Sequence, residues 1–192
     1  MNKENEKNRI FITGHTRGIG KAVFDFFKDK GFHCEGVSTS TGFDVDKDCD
    51  HIVSMMQNFN HIVLNAYKGK SQKEMLKKLI KNYQNDNKKI AVITSTSGTS
   101  IGADPDHTSP TYIQYCQDKK DLMQYIEAIQ QDLYSKPMNI YDICPDTVKT
   151  DMSEGLWEDW PKLQAQEVAE CVWICFNKDF NINRMVIQKH EH

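Results

Sequence analysis

Long apolar runs are missing from this 192-residue chain, and none approaches the ~20 residues needed to span a bilayer. The opening stretch from Met1 to Lys7 is polar and carries no signal-peptide core, so a soluble, cytoplasmic protein is expected. An excess of positive charge is also missing. Lys and Arg total 24 against 27 Asp and Glu, giving a net charge of -3 and a pI near 6.2. That balance offers no basic field for nucleic acid, and the lysines between Lys68 and Lys81 alternate with acidic and apolar residues as on a solvated helix face. The six cysteines form no CxxC pair; Cys171 and Cys175 lie one helical turn apart and read as packed, reduced thiols. The seven histidines are scattered, with His190 and His192 at the very end, and no metal site is expected. There is no internal repeat and no low-complexity linker, so residues 1–192 read as a single domain.

What is present is a glycine-spaced turn, Thr13-Gly14-His15-Thr16-Arg17-Gly18-Ile19-Gly20, between an apolar run and an amphipathic pattern. Arg9 to Ile12 reads as a buried strand; Ile19, Val23, Phe26 and Phe27 recur at helical spacing until Gly31. In a strand–turn–helix context Gly14 permits the sharp turn, while Gly18 and Gly20 let backbone and helix approach a pyrophosphate, whose charge suits the helix N-terminus. A helix cap with no ligand remains the alternative for the segment alone.

Further strands fit His33–Val37, His61–Asn65, Lys89–Thr94, Met138–Cys144 and Arg184–Gln188, and helices fit Cys49–Gln57, Ser71–Asn85, Tyr112–Tyr134 and Gln166–Asn177. Strict alternation implies an α/β fold: a three-layer, doubly wound parallel sheet of about six strands, Rossmann-like in outline. Ser38 to Asp44 is too short for a parallel crossover, which needs a dozen residues or more. The second strand is therefore expected to run straight into the Cys49 helix and re-emerge as the His61 strand on the other side of the first, placing a switch point above Gly14. Residues 98–111 form the one long loop inside the fold. In the helix that follows, Tyr115 and Lys119 stand four residues apart, so a phenol and an ammonium share a face. A nearby cation favours phenolate, which would equip Tyr115 for proton exchange. An ordinary surface contact is the alternative.

The order of motifs resembles the short-chain dehydrogenase/reductase family over nearly the whole chain. Thr13 to Gly20 resembles its TGxxxGxG loop, Leu64-Asn65-Ala66-Tyr67 its NNAG segment, and Ile93 to Gly98 its ISSxxG segment. Tyr115 and Lys119 fall on its YxxxK, Ile143 to Met152 resembles its PGxVxTDM stretch, and Glu167-Val168-Ala169 the EVA of its last helix. The resemblance implies that Ser95 hydrogen-bonds a substrate carbonyl, with Ser97 and Ser100 as alternative hydroxyls, that Tyr115 exchanges the proton, and that Lys119 lowers the tyrosine pKa and holds nicotinamide-ribose hydroxyls. It also places Asn65 and Ala66 beside the cofactor ribose, Pro145, Thr147 and Val148 at the carboxamide, Thr150 near the phosphates, and Asp44 at the adenine. A solvated turn acid competes for that last reading.

The chain departs from the family at several points. Tyr67 and Asp146 stand where the family has glycine, the stretch from Asn65 to Ser95 is short, and the helix asparagine of the family's proton relay has no matching position. The loop with Asp104, Pro105, Asp106 and His107 reads as an insertion at the mouth of the site, and Leu156, Trp157 and Trp160 as candidate cover. Ser38, Thr39 and Ser40 replace the carboxylate an NAD-binder places on the 2′-hydroxyl, and Arg17 can complement a 2′-phosphate, so NADP(H) is expected over NAD(H). The expected activity is NADP(H)-dependent oxidoreduction of a small carbonyl or alcohol substrate. A non-catalytic dinucleotide-binding sensor or partner subunit is the alternative, and a nucleotide-sugar epimerase is disfavoured by the short C-terminal region. A homo-oligomer, dimer or tetramer, is expected through the Tyr112–Tyr134 helix, with Met123 and Tyr125 offered to another chain.

Overall fold

A computed structural model describes residues 8–99, 109–155 and 158–189. Alternation of apolar runs and amphipathic segments produces five parallel strand-to-helix steps. β1 (Arg9–Thr13), β2 (His33–Val37), β3 (His61–Leu64), β4 (Lys89–Ile93) and β5 (Asn139–Pro145) are joined by α1 (Gly18–Asp29), α2 (Cys49–Met55), α3 (Ser71–Tyr83) and α4 (Pro110–Asp132). Two short strands, β6 (Val148–Lys149) and β7 (Leu163–Gln164), then lead into α5 (Ala165–Asn177) and the last strand β8 (Arg184–Ile187). The main sheet has the order β2-β1-β3-β4-β5-β8 with every pair parallel, the doubly wound α/β arrangement that the alternation implies.

β1 lies between β2 and β3, Ile10 facing Cys34 on one side and His61 on the other. β2 passes through a short 3-10 turn at Thr39–Thr41 into α2 without a further strand, as its brief connection requires. The strand order therefore reverses at β1, above Gly14. In open α/β sheets this is where a crevice forms outside the carboxyl ends of the strands. One face of the sheet is covered by α2, α3 and α4 through Ile52, Val53, Leu76, Leu79, Leu122 and Ile126. The other is covered by α1 and α5 through Val23, Phe27, Val168, Val172 and Phe176. No helix among the described residues is long and apolar enough to cross a membrane.

Three details differ from the sequence reading. The pair β6–β7 is a second, two-stranded sheet that periodicity over two residues could not reveal. α4 starts at Pro110 instead of Tyr112, because Ser109 caps it by accepting from the Tyr112 N–H at 3.2 Å and proline suits the first helical turn. Met123 is buried inside the chain, its sulfur packed against the backbone of Gly98, so it is not offered to a partner. Tyr125 is half-buried on the same core, with the Lys73 and Lys77 ammonium groups 5.4 and 5.8 Å from its ring centre.

A buried lysine ties off one end of the α2 layer. Lys88, 2% exposed, donates to the carbonyls of Gln57 and Phe59 at 2.7 and 2.9 Å, reaches that of Met56 at 3.3 Å, and lies 4.9 Å from the Tyr83 ring centre. The Met56 carbonyl also accepts from the Phe59 N–H at 3.1 Å, so it is Gln57 and Phe59, at the end of the turn, whose carbonyls rely on the lysine. Lys88→Ala should therefore lower unfolding stability by about 2–4 kcal/mol, from unpaired buried carbonyls plus a cavity. Urea denaturation of both proteins checks this, and a loss below about 0.5 kcal/mol, the scale of an ordinary surface substitution, would contradict it.

Candidate functional site

The glycine loop is tight because backbone fills the space side chains would need. Gly14, at φ 75°, donates its N–H to the Val37 carbonyl at 2.7 Å, and a Cβ on Gly20 would stand 2.1 Å from the Gly14 carbonyl oxygen. Thr13 fixes this loop to the end of β3. Its hydroxyl accepts from the Asn65 and Ala66 N–H groups at 3.0 and 3.1 Å, and the Asn65 side chain donates back to the Thr13 carbonyl at 3.2 Å. Asn65 and Ala66 are thus held against Gly14, and Thr150 is held against Gly18, whose Cβ would meet the Thr150 methyl at 3.3 Å. Ile19 follows in the first turn of α1.

Beside the loop, hydroxyls close the end of β2. Ser40 donates to Thr16 at 3.0 Å, Ser38 and Ser40 share a 2.8 Å hydrogen bond, and Ser38 and Thr41 cap the 3-10 turn reciprocally. Thr39 and Arg17 are exposed at this rim. Asp44 accepts from the Lys68 ammonium and the Asp46 N–H, and the lysine contact above all holds its carboxyl down to about 2. It therefore stays ionised and joins the turn after β2 to the loop after β3.

Across the crevice, Pro145 ends β5 and Val148 begins β6. The Thr147 carbonyl accepts from the Leu163 N–H at 2.9 Å, and Thr150 and Ser153 form a reciprocal cap. Asp146 has a local partner: its carboxylate accepts from the Thr96 hydroxyl at 3.0 Å and so links the ends of β4 and β5.

Ser95, Tyr115 and Lys119 meet at the ends of β4 and α4. Ser95 is 8% exposed, accepts from the Ser97 N–H at 3.2 Å, and its hydroxyl acts on Tyr115 by favouring the ionised phenol. Tyr112 hydrogen-bonds Ser97 at 3.4 Å, and its ring lies 6.3 Å from that of Tyr115. Lys119 is 3% exposed, lies 5.6 Å from the Tyr115 ring centre, and donates to Gln72 Oε1 at 2.7 Å and the Ile93 carbonyl at 2.8 Å. Burial dominates both ionisations. It pushes the Tyr115 phenol up to about 12 against the Ser95 hydrogen bond, and draws Lys119 down to about 7 against the field of Asp142. The i, i+4 spacing implied a tyrosine made more acidic by its lysine; desolvation reverses that expectation.

Sequence reasoning missed Gln72 and Asp142 as partners of this cluster and marked Tyr67 only as a departure from the family's glycine. Gln72 is 3% exposed on the first turn of α3 and reaches Lys119 directly. Tyr67 packs edge-on against Tyr115, ring centres 4.9 Å apart, lies 5.5 Å from the Lys119 ammonium, and donates its hydroxyl to Asp118 at 3.0 Å. Burial first, and Asp118 second, raise its pKa. Asp142, 1% exposed beneath the cluster, accepts from Thr94 and from Arg184 at 2.5 and 2.6 Å. Met152 and Trp160 are exposed. Ser100, Asp104, Pro105, Asp106, His107, Leu156, Trp157, His190 and His192 lie outside the described residues.

No family model and no curated protein matches this chain by sequence. Solved structures do match it. A small-chain dehydrogenase in complex with NADPH superimposes with a TM-score of 0.72 at 16% identity, covering 95% of this chain and 96% of that one. A short-chain dehydrogenase from Burkholderia cenocepacia J2315 in complex with NADP gives a TM-score of 0.75 at 12% identity over 95% and 89%. A short chain dehydrogenase family protein from Francisella tularensis subsp. tularensis SCHU S4 gives 0.68 at 20% identity over 94% and 96%. With the glycine loop, strand order and Tyr-Lys helix in register along the chain, the fold is that of the short-chain dehydrogenases/reductases.

Proposed function

We propose that this chain is an NADP(H)-dependent oxidoreductase that reduces a small-molecule carbonyl to an alcohol. The observation that carries the reading is the convergence of Ser95, Tyr115 and Lys119, the ammonium 5.6 Å from the Tyr115 ring centre, at the same strand ends as the glycine loop. The residues suit the cofactor. The space a Cβ would need at Gly14, Gly18 and Gly20 is taken up by backbone, Asn65 and Thr150, leaving N–H groups at the start of α1 for a pyrophosphate. Thr16, Arg17, Ser38 and Thr39 would meet the 2′-phosphate, Asp44 the adenine edge, Asn65, Ala66 and Lys119 the ribose, and Pro145, Thr147, Val148 and Thr150 the carboxamide and phosphates.

A bound nicotinamide supplies the hydride. The chain's own residues would do the rest: Ser95 donates to the carbonyl oxygen as negative charge grows there, and Tyr115 delivers the proton. A phenol pushed up to about 12 remains protonated throughout the physiological range, which favours its use as an acid and therefore the reductive direction. The second reading is a dinucleotide-binding module without turnover. It is favoured by Tyr67, which covers the lysine where the related loop has glycine. NADPH binding by calorimetry, followed by a panel of carbonyl compounds, separates the two. Binding with turnover supports the oxidoreductase, binding without turnover the module, and no binding rejects both.

Two sets of variants sharpen the assignment. Tyr115→Phe should retain NADPH affinity and lose most carbonyl reduction, because it removes the transferable proton and keeps the ring. Ser95→Ala should lower kcat by roughly 100- to 1,000-fold, the usual cost of one oxyanion donor, and Lys119→Ala should weaken both cofactor binding and turnover. Full activity of Tyr115→Phe in steady-state assays would refute the catalytic assignment. Independently, Arg17→Ala should weaken NADPH more than NADH, because a guanidinium meets a 2′-phosphate through two parallel charge-assisted hydrogen bonds. Equal losses for the two cofactors in titration calorimetry would remove that role.

A further inference from the structure

Gln72 uses its whole amide. Its Nε2 donates to the Leu64 carbonyl at 2.8 Å and the Ile93 carbonyl at 3.1 Å, the last residues of β3 and β4, and its Oε1 accepts from Lys119 at 2.7 Å. Two carbonyls can only accept and an ammonium can only donate, so the amide has one workable orientation. Lys119 shares one of those anchors, because it too donates to the Ile93 carbonyl. Among the described residues, the hydrogen bonds of the Lys119 ammonium go to an amide and a backbone carbonyl and none to a carboxylate.

We infer that Gln72 is the positioning residue for Lys119: its amide seats the ammonium by a direct hydrogen bond at the ends of β3 and β4 and favours its charged form. The inference rests on the proposed role of Lys119 for its catalytic meaning, but the seat itself exists whether or not the chain turns over a substrate. Other groups also act on this lysine. Asp142 and Cys144 face it from β5, Asp118 and Tyr115 from its own helix, and Tyr67 from the loop after β3; Asp142, Asp118 and Cys144 raise its pKa. Lys70, Lys73 and Asp121 line a shallow pocket with Gln72 and Lys119, and Lys73 is paired with Asp121 at 2.8 Å. These remain in place when residue 72 changes, so a variant at 72 reads the amide alone.

The amide oxygen stabilises the charged lysine by accepting its proton, and a charge-assisted hydrogen bond of this kind is among the stronger ones. Removing the acceptor should ease deprotonation, and replacing it with a carboxylate should oppose it. In the cofactor-free full chain, the Lys119 ionisation midpoint can be followed by 13C NMR of the lysine ε-carbons, with the Lys119 signal assigned by its loss in Lys119→Arg. Gln72→Met should lower the midpoint by about one pH unit or more, and Gln72→Glu should raise it by roughly one to three units. A merely structural glutamine would give shifts of the same sign or none, and either result overturns the inference. If Gln72→Glu does not fold, Gln72→Met decides alone: a lower midpoint supports the seat, and an unchanged or higher one overturns it. The pH profile of kcat/KM for carbonyl reduction should move with the NMR midpoint. Opposite NMR shifts in a protein without turnover would sustain the seat and reject only the oxidoreductase reading.

Discussion

The hydroxyl of Thr13, 1% exposed at the end of β1, accepts two backbone N–H groups from the segment after β3 and reaches the Val63 carbonyl at 3.4 Å. β1 and β3 are far apart in sequence, and this one side chain brings the turns that leave them into register. The glycine loop can then close on itself, because Gly20 presents no Cβ to the Gly14 carbonyl and Asn65 fills the remaining space. Crevice, switch point and helix N-terminus all depend on that junction. A valine at 13 would keep the strand's shape and leave two half-buried N–H groups without their acceptor, a costly exchange.

Much of the fold was legible because its signals are local. The apolar runs from Ile10 to Ile12 and from Ile90 to Ile93 are buried on both faces, so they read as continuous strands. The brief span from Ser38 to Asp44 was enough to remove a strand, because chain length limits what can cross a sheet. The glycine loop and the Tyr115–Lys119 spacing were legible for the same reason. Gln72 and Asp142 were not. Gln72 sits in a lysine-rich stretch that reads as a solvated face, and only the folded chain brings its amide under a residue 47 positions away. Burial is equally invisible to spacing, and it is burial that sets the ionisation of both Tyr115 and Lys119.

The site also draws on the end of the sheet farthest from the glycine loop. Asp142 sits in the middle of β5 without solvent, satisfied by Thr94 from β4 and Arg184 from β8. A buried carboxylate deprived of its partners is strongly unfavourable, so the last strand contributes charge compensation as well as backbone pairing. Because the same carboxylate opposes the desolvation of Lys119, Arg184 of the C-terminal strand has an electrostatic hold on the lysine through one intervening side chain, Asp142.

The omission of a strand after β2 has a consequence at the sheet's border. β2 becomes an outer strand, and outer strands carry unpaired backbone groups that can recruit a second molecule into an aggregate. Here that border is only five residues long. It carries the charge of Glu35, held by Arg9 at 3.5 Å and His33 at 2.7 Å, and is broken by Gly36, whose missing side chain makes room for the Ile12 carbonyl and the His15 ring. Brevity, charge and a glycine leave little for another chain's strand to add to. Glu35 and Gly36 therefore guard the border that the short connection from Ser38 to Asp44 leaves outermost against edge-to-edge polymerisation.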